Sequence, residues 1–271
     1  MPGTWKLLPL GTGGYYPARG RQTMSFLVHG GGAALLLDAG SGVARLTEPA
    51  ARAALAGIER LEILLTHYHL DHVAGLTFLP GVARRLPVRI HAPAPPLTDF
   101  GPEALDRLLA PPFFPVGTSQ WPMPVEIAAY GPGEVAVGPF RLRTRRQNHP
   151  GGSTGVRLGD ALAYTTDTVI DPENAEFVRG VGLLLHEVWL SDEEAAREDA
   201  GRTGHSAAGD VADLARRAGV GRIGLVHHHP QRDDAGIEAM RAAMETRAGL
   251  PVLRIEEGVE LALGVSAAPA P

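Results

Sequence analysis

The chain has 271 residues, of which 44% are hydrophobic and 20% charged, enough to form one large domain or two small ones around a buried core. It contains no cysteine, which excludes disulfides, thiolate metal ligands and a cysteine nucleophile, so any metal must be bound through nitrogen and oxygen. The formal net charge of −5 provides no global positive field for nucleic acid, and no apolar stretch approaches the roughly 18 residues that a membrane span needs.

Glycine-rich turns separate short apolar runs in the first third of the chain. The pattern predicts strands at 5–10, 25–28, 34–38 and 61–65 and a helix at 50–56. The opening residues lack a charged region followed by an apolar one, so no signal peptide is predicted and a cytoplasmic location is expected.

Residues 93–124 are rich in proline and aromatic residues, with a short helix predicted at 102–109. A long irregular segment inside a compact domain is usually a lid or a binding loop, and the alternative is a surface excursion without a role. We therefore predict a single domain over residues 1–271 with a lid-like insertion at about 93–124. Phe113 and Phe114 in this insertion are candidates for lining a substrate mouth.

Strands return and then alternate with helices in the second half of the chain. Periodic apolar residues predict helices at 207–218 and 234–247 and strands at 140–144, 154–158, 161–165, 182–186, 224–226, 251–255 and 259–263. This order predicts an α/β (α+β) fold in which two sheets pack face to face with helices outside them.

Histidines and aspartates cluster directly after the apolar run at 61–65. His67, His69, Asp71 and His72 follow one another so closely that the loop after a buried strand presents all four. A lone histidine is more often a structural residue, but four coordinating side chains this close together favour a metal site. Imidazole and carboxylate are ligands that suit zinc, manganese or iron.

Three further candidates, His149, Asp167 and His227, each follow a predicted strand. Like the first cluster, each of them lies directly after a predicted buried strand, which would position it as a potential ligand. Asp38, at the end of another apolar run, is expected either to orient a ligand histidine or to cap a turn.

This pattern resembles the metallo-β-lactamase superfamily over essentially the whole chain. The HxHxDH signature of that superfamily corresponds to residues 67–72, and its later ligands correspond to His149, Asp167 and His227. The segments 10–14 and 35–40 also match. The resemblance implies a four-layer αββα metallo-β-lactamase sandwich and a metal-dependent hydrolase.

The resemblance also implies two divalent metal ions per chain, with zinc expected first and manganese or iron as alternatives. Asp167 would bridge the two ions. Each ion would have three further ligands: His67, His69 and His149 for one, and Asp71, His72 and His227 for the other. Such pairs lie roughly 3.5–4 Å apart and lower the pKa of a shared water, so that a hydroxide attacks the substrate.

Other residues indicate the branch of the superfamily. His69 stands where flavodiiron oxidoreductases favour a carboxylate, which argues against reduction of oxygen or nitric oxide. The motifs around Glu187 and His205 resemble those with which ribonuclease Z and related phosphodiesterases protonate the leaving oxygen. A carboxylate can raise the pKa of a nearby histidine and orient it as a general acid. The alternative is that His205 and Ser206 only cap a helix. The predicted catalytic residues are therefore Asp71, His205 and Glu187.

Two features bear on the substrate. No glycine- and lysine-rich insertion resembles the arm with which ribonuclease Z grips transfer RNA, which puts a full transfer RNA in doubt and favours a small-molecule or short nucleotide phosphodiester. Arg141, Arg143 and Arg145 share one face of a predicted strand, either as a phosphate contact or as a solvated surface. No membrane partner is expected, whereas a homodimer is among the expectations because relatives are often dimers.

We therefore predict a hydrolase that uses a hydroxide activated by two metals, most closely a phosphodiesterase related to ribonuclease Z. Hydrolysis of a carbonyl ester, lactone or thioester on the same metal pair is the alternative. An electropositive mouth with an intact Glu187–His205 pair would favour the diester, and a neutral, apolar mouth would favour the carbonyl substrates. A metal-binding module without turnover is a third reading.

Overall fold

The computed structural model describes residues 5–83, 85–197 and 203–264 and consists of two seven-stranded sheets with helices outside them. The strands of the first sheet are β1 (Trp5–Gly11), β2 (Ser25–Gly30), β3 (Ala33–Leu37), β4 (Leu61–Leu64), β5 (Val88–Pro93), β6 (Val125–Tyr130) and β14 (Leu261–Leu263). Their order is β14-β1-β2-β3-β4-β5-β6. The pairs from β14 to β3 are antiparallel, and those from β3 to β6 are parallel.

The second sheet has the same plan. Its strands are β7 (Gly133–Val137), β8 (Phe140–Gln147), β9 (Ser153–Leu158), β10 (Leu162–Thr165), β11 (Leu183–Glu187), β12 (Ile223–Val226) and β13 (Val252–Arg254). The order is β13-β12-β11-β10-β9-β8-β7, antiparallel from β7 to β10 and parallel from β10 to β13.

Short helices connect the strands. The α-helices are α1 (Pro49–Ala54), α2 (Leu70–Val73), α3 (Leu79–Val82), α4 (Glu103–Leu108), α5 (Asn174–Phe177), α6 (Asp192–Arg197), α7 (Ala208–Ala218) and α8 (Asp234–Ala248). Three 3₁₀ helices lie at Ser41–Thr47, Ala74–Phe78 and Thr118–Gln120. No helix in the described ranges is long and apolar enough to cross a membrane.

Three apolar cores define the layers. The central core lies between the sheets, where Phe26 of β2 meets Tyr164 of β10 with ring centroids 5.5 Å apart. A second core joins the first sheet to α1, α3 and α4, and a third joins the second sheet to α7 and α8. The layer order is therefore helix, sheet, sheet, helix, and the predicted αββα sandwich is confirmed.

The predicted strands and long helices agree with the structure to within a few residues, but β5, β6 and β7 were not predicted. Of these, β7 is an edge strand of five residues in which only Val135 and Val137 pack on the core, so its alternation is too short to mark a strand. The segment 93–124 connects β5 to β6 and places Leu105, Leu109, Trp121 and Met123 in the outer core. It is thus anchored to the first sheet, and its role as a lid remains a prediction.

The strand directions bring six loops to one edge of the sandwich. Within each sheet the parallel strands end at the same edge, and β8 runs parallel to β10 because two antiparallel pairings separate them. The loops that follow β3, β4, β8, β10, β11 and β12 carry the candidate residues named from the sequence. Crevices at the carboxyl ends of parallel strands are common ligand sites.

Two glycines allow α2 to lie directly against the end of β3. A Cβ atom added at Gly40 would lie 2.1 Å from the backbone oxygen of Asp71, and one added at Gly75 would lie 2.0 Å from that of Gly40. The backbone N–H of Ala39 donates to the His72 carbonyl at 2.8 Å across this contact. The close approach positions the segment that carries Asp71 and His72.

We expect Gly40→Ala to lower the free energy of unfolding by roughly 1–3 kcal/mol, because the added methyl group must push two backbone segments apart. Urea unfolding measures the change. Gly81→Ala is the matched control, since no heavy atom lies within 4 Å of its added Cβ and the position is helical. Equal stability of the two variants would show that the α2 contact is not tight.

Candidate metal centre

All seven predicted ligands come together at this edge of the sandwich. They form two groups in which the potential ligand atoms lie within 4.8 Å of one another: His67, His69, His149 and Asp167 in the first, and Asp71, His72 and His227 in the second. The division is the one that the resemblance implied. Asp167 joins the groups, since its carboxylate oxygens lie 3.1 Å from His72 Nε2, 3.3 Å from His227 Nε2 and 3.7 Å from His149 Nε2.

Three imidazoles are oriented through Nδ1, which leaves Nε2 directed at the centre. His72 Nδ1 donates to Asp38 at 2.8 Å, His67 Nδ1 to the Thr66 hydroxyl at 3.0 Å and His149 Nδ1 to the Gly204 carbonyl at 2.9 Å. Such bonds fix the tautomer in which Nε2 carries the lone pair, as in histidines that bind metals.

The Nε2 atoms of His67 and His72 are buried and have no hydrogen-bond partner. His72 Nε2 lies 3.1 Å from Asp167 but forms no hydrogen bond with it. A buried nitrogen without a partner is costly, and a cation between the lone pairs would satisfy both atoms. The arrangement therefore suits divalent metals.

The charges of the centre also favour a cation. Asp38, Asp71 and Asp167 converge on His72, and none of the three forms an ion pair with a lysine or arginine in the described part of the chain. Burial alone would lower the pKa of His72, but the carboxylates of Asp167, Asp71 and Asp38 raise it well above its usual value. The cluster thus attracts positive charge.

Burial determines the pKa values of the first group of histidines. It lowers the pKa of His67, His69 and His149, so these rings stay neutral at physiological pH. The neutral imidazole is the form that binds a metal. Burial alone would raise the pKa of Asp167, yet His227 and His72 hold it well below the usual range, so that carboxylate stays ionised.

Asp38 orients a ligand histidine, which decides between the two roles left open for it. Besides the bond from His72, its carboxylate accepts hydrogen bonds from the Thr66 backbone N–H at 2.7 Å and from the Tyr164 hydroxyl at 2.7 Å. The side chain is completely buried. Thr66 follows β4 of the first sheet and Tyr164 belongs to β10 of the second, so one carboxylate connects both sheets to the centre.

Three candidate residues adopt left-handed backbone conformations directly beyond strands. The φ angles are 57° at Asp38, 49° at Asp167 and 56° at His227. Residues other than glycine rarely adopt such angles, and those that do cluster at functional sites. Each turn directs a side chain from its strand end into the shared centre.

His205 and Glu187 form the predicted pair beside the centre. His205 Nδ1 donates to Glu187 Oε1 at 3.1 Å, and the same oxygen accepts the backbone N–H of Thr168 at 2.9 Å. The His205 ring lies 5.3 Å from that of His149 and 5.4 Å from that of His227, measured between centroids. Burial alone would lower the pKa of His205, but the Glu187 carboxylate raises it to about 9.

Ser206 was expected to cap the following helix, and this expectation is wrong. Its hydroxyl donates to the Thr168 carbonyl at 2.6 Å, and α7 begins after Ala207 without a side-chain cap. The bond ties the segment that carries His205 to the loop after β10. The alternative in which His205 only caps a helix therefore loses its support.

The arginine row has the solvated role. Arg141 and Arg143 are exposed and line a surface cleft with Arg157 and Arg179, and none of the residues that line this cleft belongs to the centre. Arg145 pairs with Asp171 at 2.8 Å. These side chains do not supply a positive mouth to the site.

Sequence reasoning missed two contributors to the centre. Trp189 stacks on His205 with ring centroids 4.8 Å apart and planes inclined by 19°. One indication in the sequence that Trp189 lies near the centre is its position two residues after Glu187. The backbone N–H of Tyr15 donates to Asp71 Oδ2 at 2.7 Å. Gly14 next to it permits the approach, since a Cβ there would lie 2.5 Å from the His227 ring.

The comparisons with known proteins agree with this geometry. A sequence model described as the beta-lactamase superfamily domain matches residues 34–228. A ribonuclease Z of Mycolicibacterium gilvum is 31% identical over 88% of this chain and 89% of the relative. These matches indicate a hydrolase.

Solved structures show the same fold. The metallo-beta-lactamase fold protein YhfI from Bacillus subtilis superposes with a TM-score of 0.74 at 22% identity, over 96% of this chain and 99% of that one. A diphosphatase from the PhnP family superposes with a TM-score of 0.67 at 17% identity, over 96% and 98% of the two chains.

We expect Asp38→Asn to weaken zinc binding roughly 10- to 100-fold, because His72 loses the carboxylate that orients it. Titration of the metal-free protein with Zn²⁺ gives the affinity. Glu62→Gln is the matched control, since Glu62 is also a buried carboxylate bonded to a histidine, His91, at 2.7 Å outside the centre. Equal losses in both variants would mean that Asp38 acts only on folding.

Proposed function

This chain belongs to the metallo-β-lactamase superfamily and is a hydrolase, and we propose that it cleaves phosphodiesters with two divalent metal ions. Asp167 would bridge the ions. Their other ligands would be His67, His69 and His149 for one ion and Asp71, His72 and His227 for the other. When bound, such a pair polarises the substrate and lowers the pKa of a water molecule.

Zinc is the metal that we propose first. The donor set consists of imidazole nitrogens and carboxylate oxygens, which suits zinc, with manganese and iron as alternatives. The pairing of His72 with the Asp38 carboxylate is the arrangement that commonly supports zinc-bound histidines.

The observation that carries the diester proposal is the Glu187–His205 pair. Cleavage of a phosphodiester expels an alkoxide, which is a strong base and must be protonated as it leaves. His205 is held through Nδ1 by Glu187, so its other nitrogen is available to donate a proton at the edge of the centre. Trp189 packs on the ring face and restricts its orientation.

The substrate that we propose is a small-molecule or short nucleotide phosphodiester rather than a full transfer RNA. The formal charge of the chain is negative, and Arg141 and Arg143 line a surface cleft that contains no residue of the centre. A large nucleic acid would need a basic surface to bind. A cytoplasmic location and a homodimer remain predictions from the sequence.

One observation favours the second candidate, hydrolysis of a carbonyl ester, lactone or thioester. The exposed side chains next to Asp71 include Tyr15, whose backbone bonds to it, and Leu70, which precedes it, and neither is basic. A carbonyl substrate is uncharged and would suit a mouth without basic side chains. The two discriminating features therefore point in different directions, and rates on a phosphodiester and on a chromogenic lactone at equal metal content separate them.

We expect the effect of His205→Ala to depend on the leaving group. Cleavage of methyl phenyl phosphate should fall roughly 10²- to 10⁴-fold, because a basic leaving group needs a proton donor. Cleavage of methyl p-nitrophenyl phosphate should fall far less, since p-nitrophenolate departs without a proton. Steady-state rates at equal metal content make the comparison, and equal losses for both esters would contradict the general-acid role.

Glu187→Gln should move the high-pH limb of the rate profile to lower pH. Activity needs protonated His205 and is lost as pH rises through its pKa. The Glu187 carboxylate raises that pKa, so its removal lowers the pH at which activity is lost. A rate profile for methyl phenyl phosphate measures the shift. If the limb does not move, Glu187 has only a structural role.

A further inference from the structure

An apolar cavity of about 360 Å³ lies beside the metal centre. Leu70 and Phe113 border it and are 66% and 74% exposed, which is unusual for large apolar side chains on opposite walls of one cavity. Most of the remaining lining is also apolar and comes from Tyr68, Val73, Leu105 and Leu108. Cavities of this size accommodate part of a small ligand.

The cavity and the centre share one loop. Tyr68 and Leu70, which line the cavity, alternate along the chain with the potential ligands His67, His69 and Asp71. The opposite wall is formed by α4 and Phe113 of the segment 93–124. The cavity therefore adjoins the loop that carries the potential ligands, and a group that extends from the centre past Leu70 would enter it.

The lining selects the chemistry of the occupant. The Tyr68 hydroxyl already donates to the Pro93 carbonyl, and Arg107 is the one charged residue of the lining. A nucleobase placed here would leave its donors and acceptors without partners, which is costly. A hydrocarbon group has no hydrogen bonds to lose, and its transfer from water to the apolar cavity would favour binding.

We propose that the cavity binds an apolar alcohol group of the phosphodiester substrate, as a specificity pocket that favours alkyl or unsubstituted aryl esters over nucleotides. This inference rests on the proposed diesterase function. In it, Leu70 and Phe113 contact the hydrocarbon group while the centre holds the phosphate.

The test compares esters of p-nitrophenyl phosphate whose second alcohol is methanol, butanol, hexanol or thymidine. The leaving group is constant, so kcat/KM reports how well the second alcohol is bound. We expect kcat/KM to rise with chain length by up to about fourfold per methylene group buried. The thymidine ester should stay below the hexyl ester.

Two variants assign the preference to the cavity. Ala104→Leu fills it from α4, and Phe113→Ser removes one wall, so both should lower the ratio of hexyl to methyl kcat/KM. The matched control is Phe78→Ser, because Phe78 is a partly exposed phenylalanine that does not line the cavity. Its ratio should equal that of the wild type.

Binding supplies a readout without turnover. Calorimetric titration should show tighter binding of hexylphosphonate than of methylphosphonate, with the difference reduced in Ala104→Leu. Cleavage of all esters at equal rates would contradict the proposed specificity pocket, as would a ratio of hexyl to methyl kcat/KM that is the same in every variant. Either result would leave the proposed diesterase function intact. If the preference for the hexyl ester were lost as the protein concentration rises, a second copy of the chain would cover the cavity. That result would also contradict the proposal. If no diester is cleaved, the proposed function fails, and the inference fails with it.

Discussion

The centre depends on one buried carboxylate that connects the two sheets. Asp38 ends β3, orients His72, and accepts hydrogen bonds from Thr66 at the end of β4 and from Tyr164 of β10. A buried carboxylate is tolerated only when hydrogen bonds and a positive partner compensate its lost hydration. Here the compensation comes from His72, which is itself a predicted metal ligand, and from Thr66 and Tyr164. The requirement to satisfy Asp38 therefore holds the ligand loops of both sheets in one relative position.

Strand direction supplies the rest of the organisation. The loops after six strands reach the same edge of the sandwich, and left-handed turns at Asp38, Asp167 and His227 direct their side chains inward. These strained conformations persist because the strands before them are fully buried and cannot shift. A rigid scaffold thus brings together ligands that lie up to 160 residues apart in the chain, from His67 to His227. The apolar cavity beside Leu70 is built on the same loop, so the scaffold that holds the predicted ligands also holds the proposed specificity pocket.

Much of this could be predicted from the sequence, because ligands at strand ends leave a local signal. An apolar run followed by His67, His69, Asp71 and His72 is visible without a structure, and His149, Asp167 and His227 follow predicted strands in the same way. Three strands were missed, among them β7, in which only Val135 and Val137 face the core, too few residues to mark a strand. Trp189 and the backbone N–H of Tyr15 were missed because stacking and main-chain contacts depend on tertiary packing. Serine is a common helix cap, but the Ser206 hydroxyl donates instead to the Thr168 carbonyl in the loop after β10.

The central claim is that two metal ions at this centre support attack on phosphorus. The most direct measurement determines metal content per chain by mass spectrometry and, in the same preparation, rates on bis(p-nitrophenyl) phosphate and on a chromogenic lactone. The account predicts about two divalent ions per chain and cleavage of the diester in proportion to metal loading. If the chain held two metal ions but cleaved only the lactone, the attack would occur at carbon rather than at phosphorus. That result would contradict the account and withdraw the role assigned to His205.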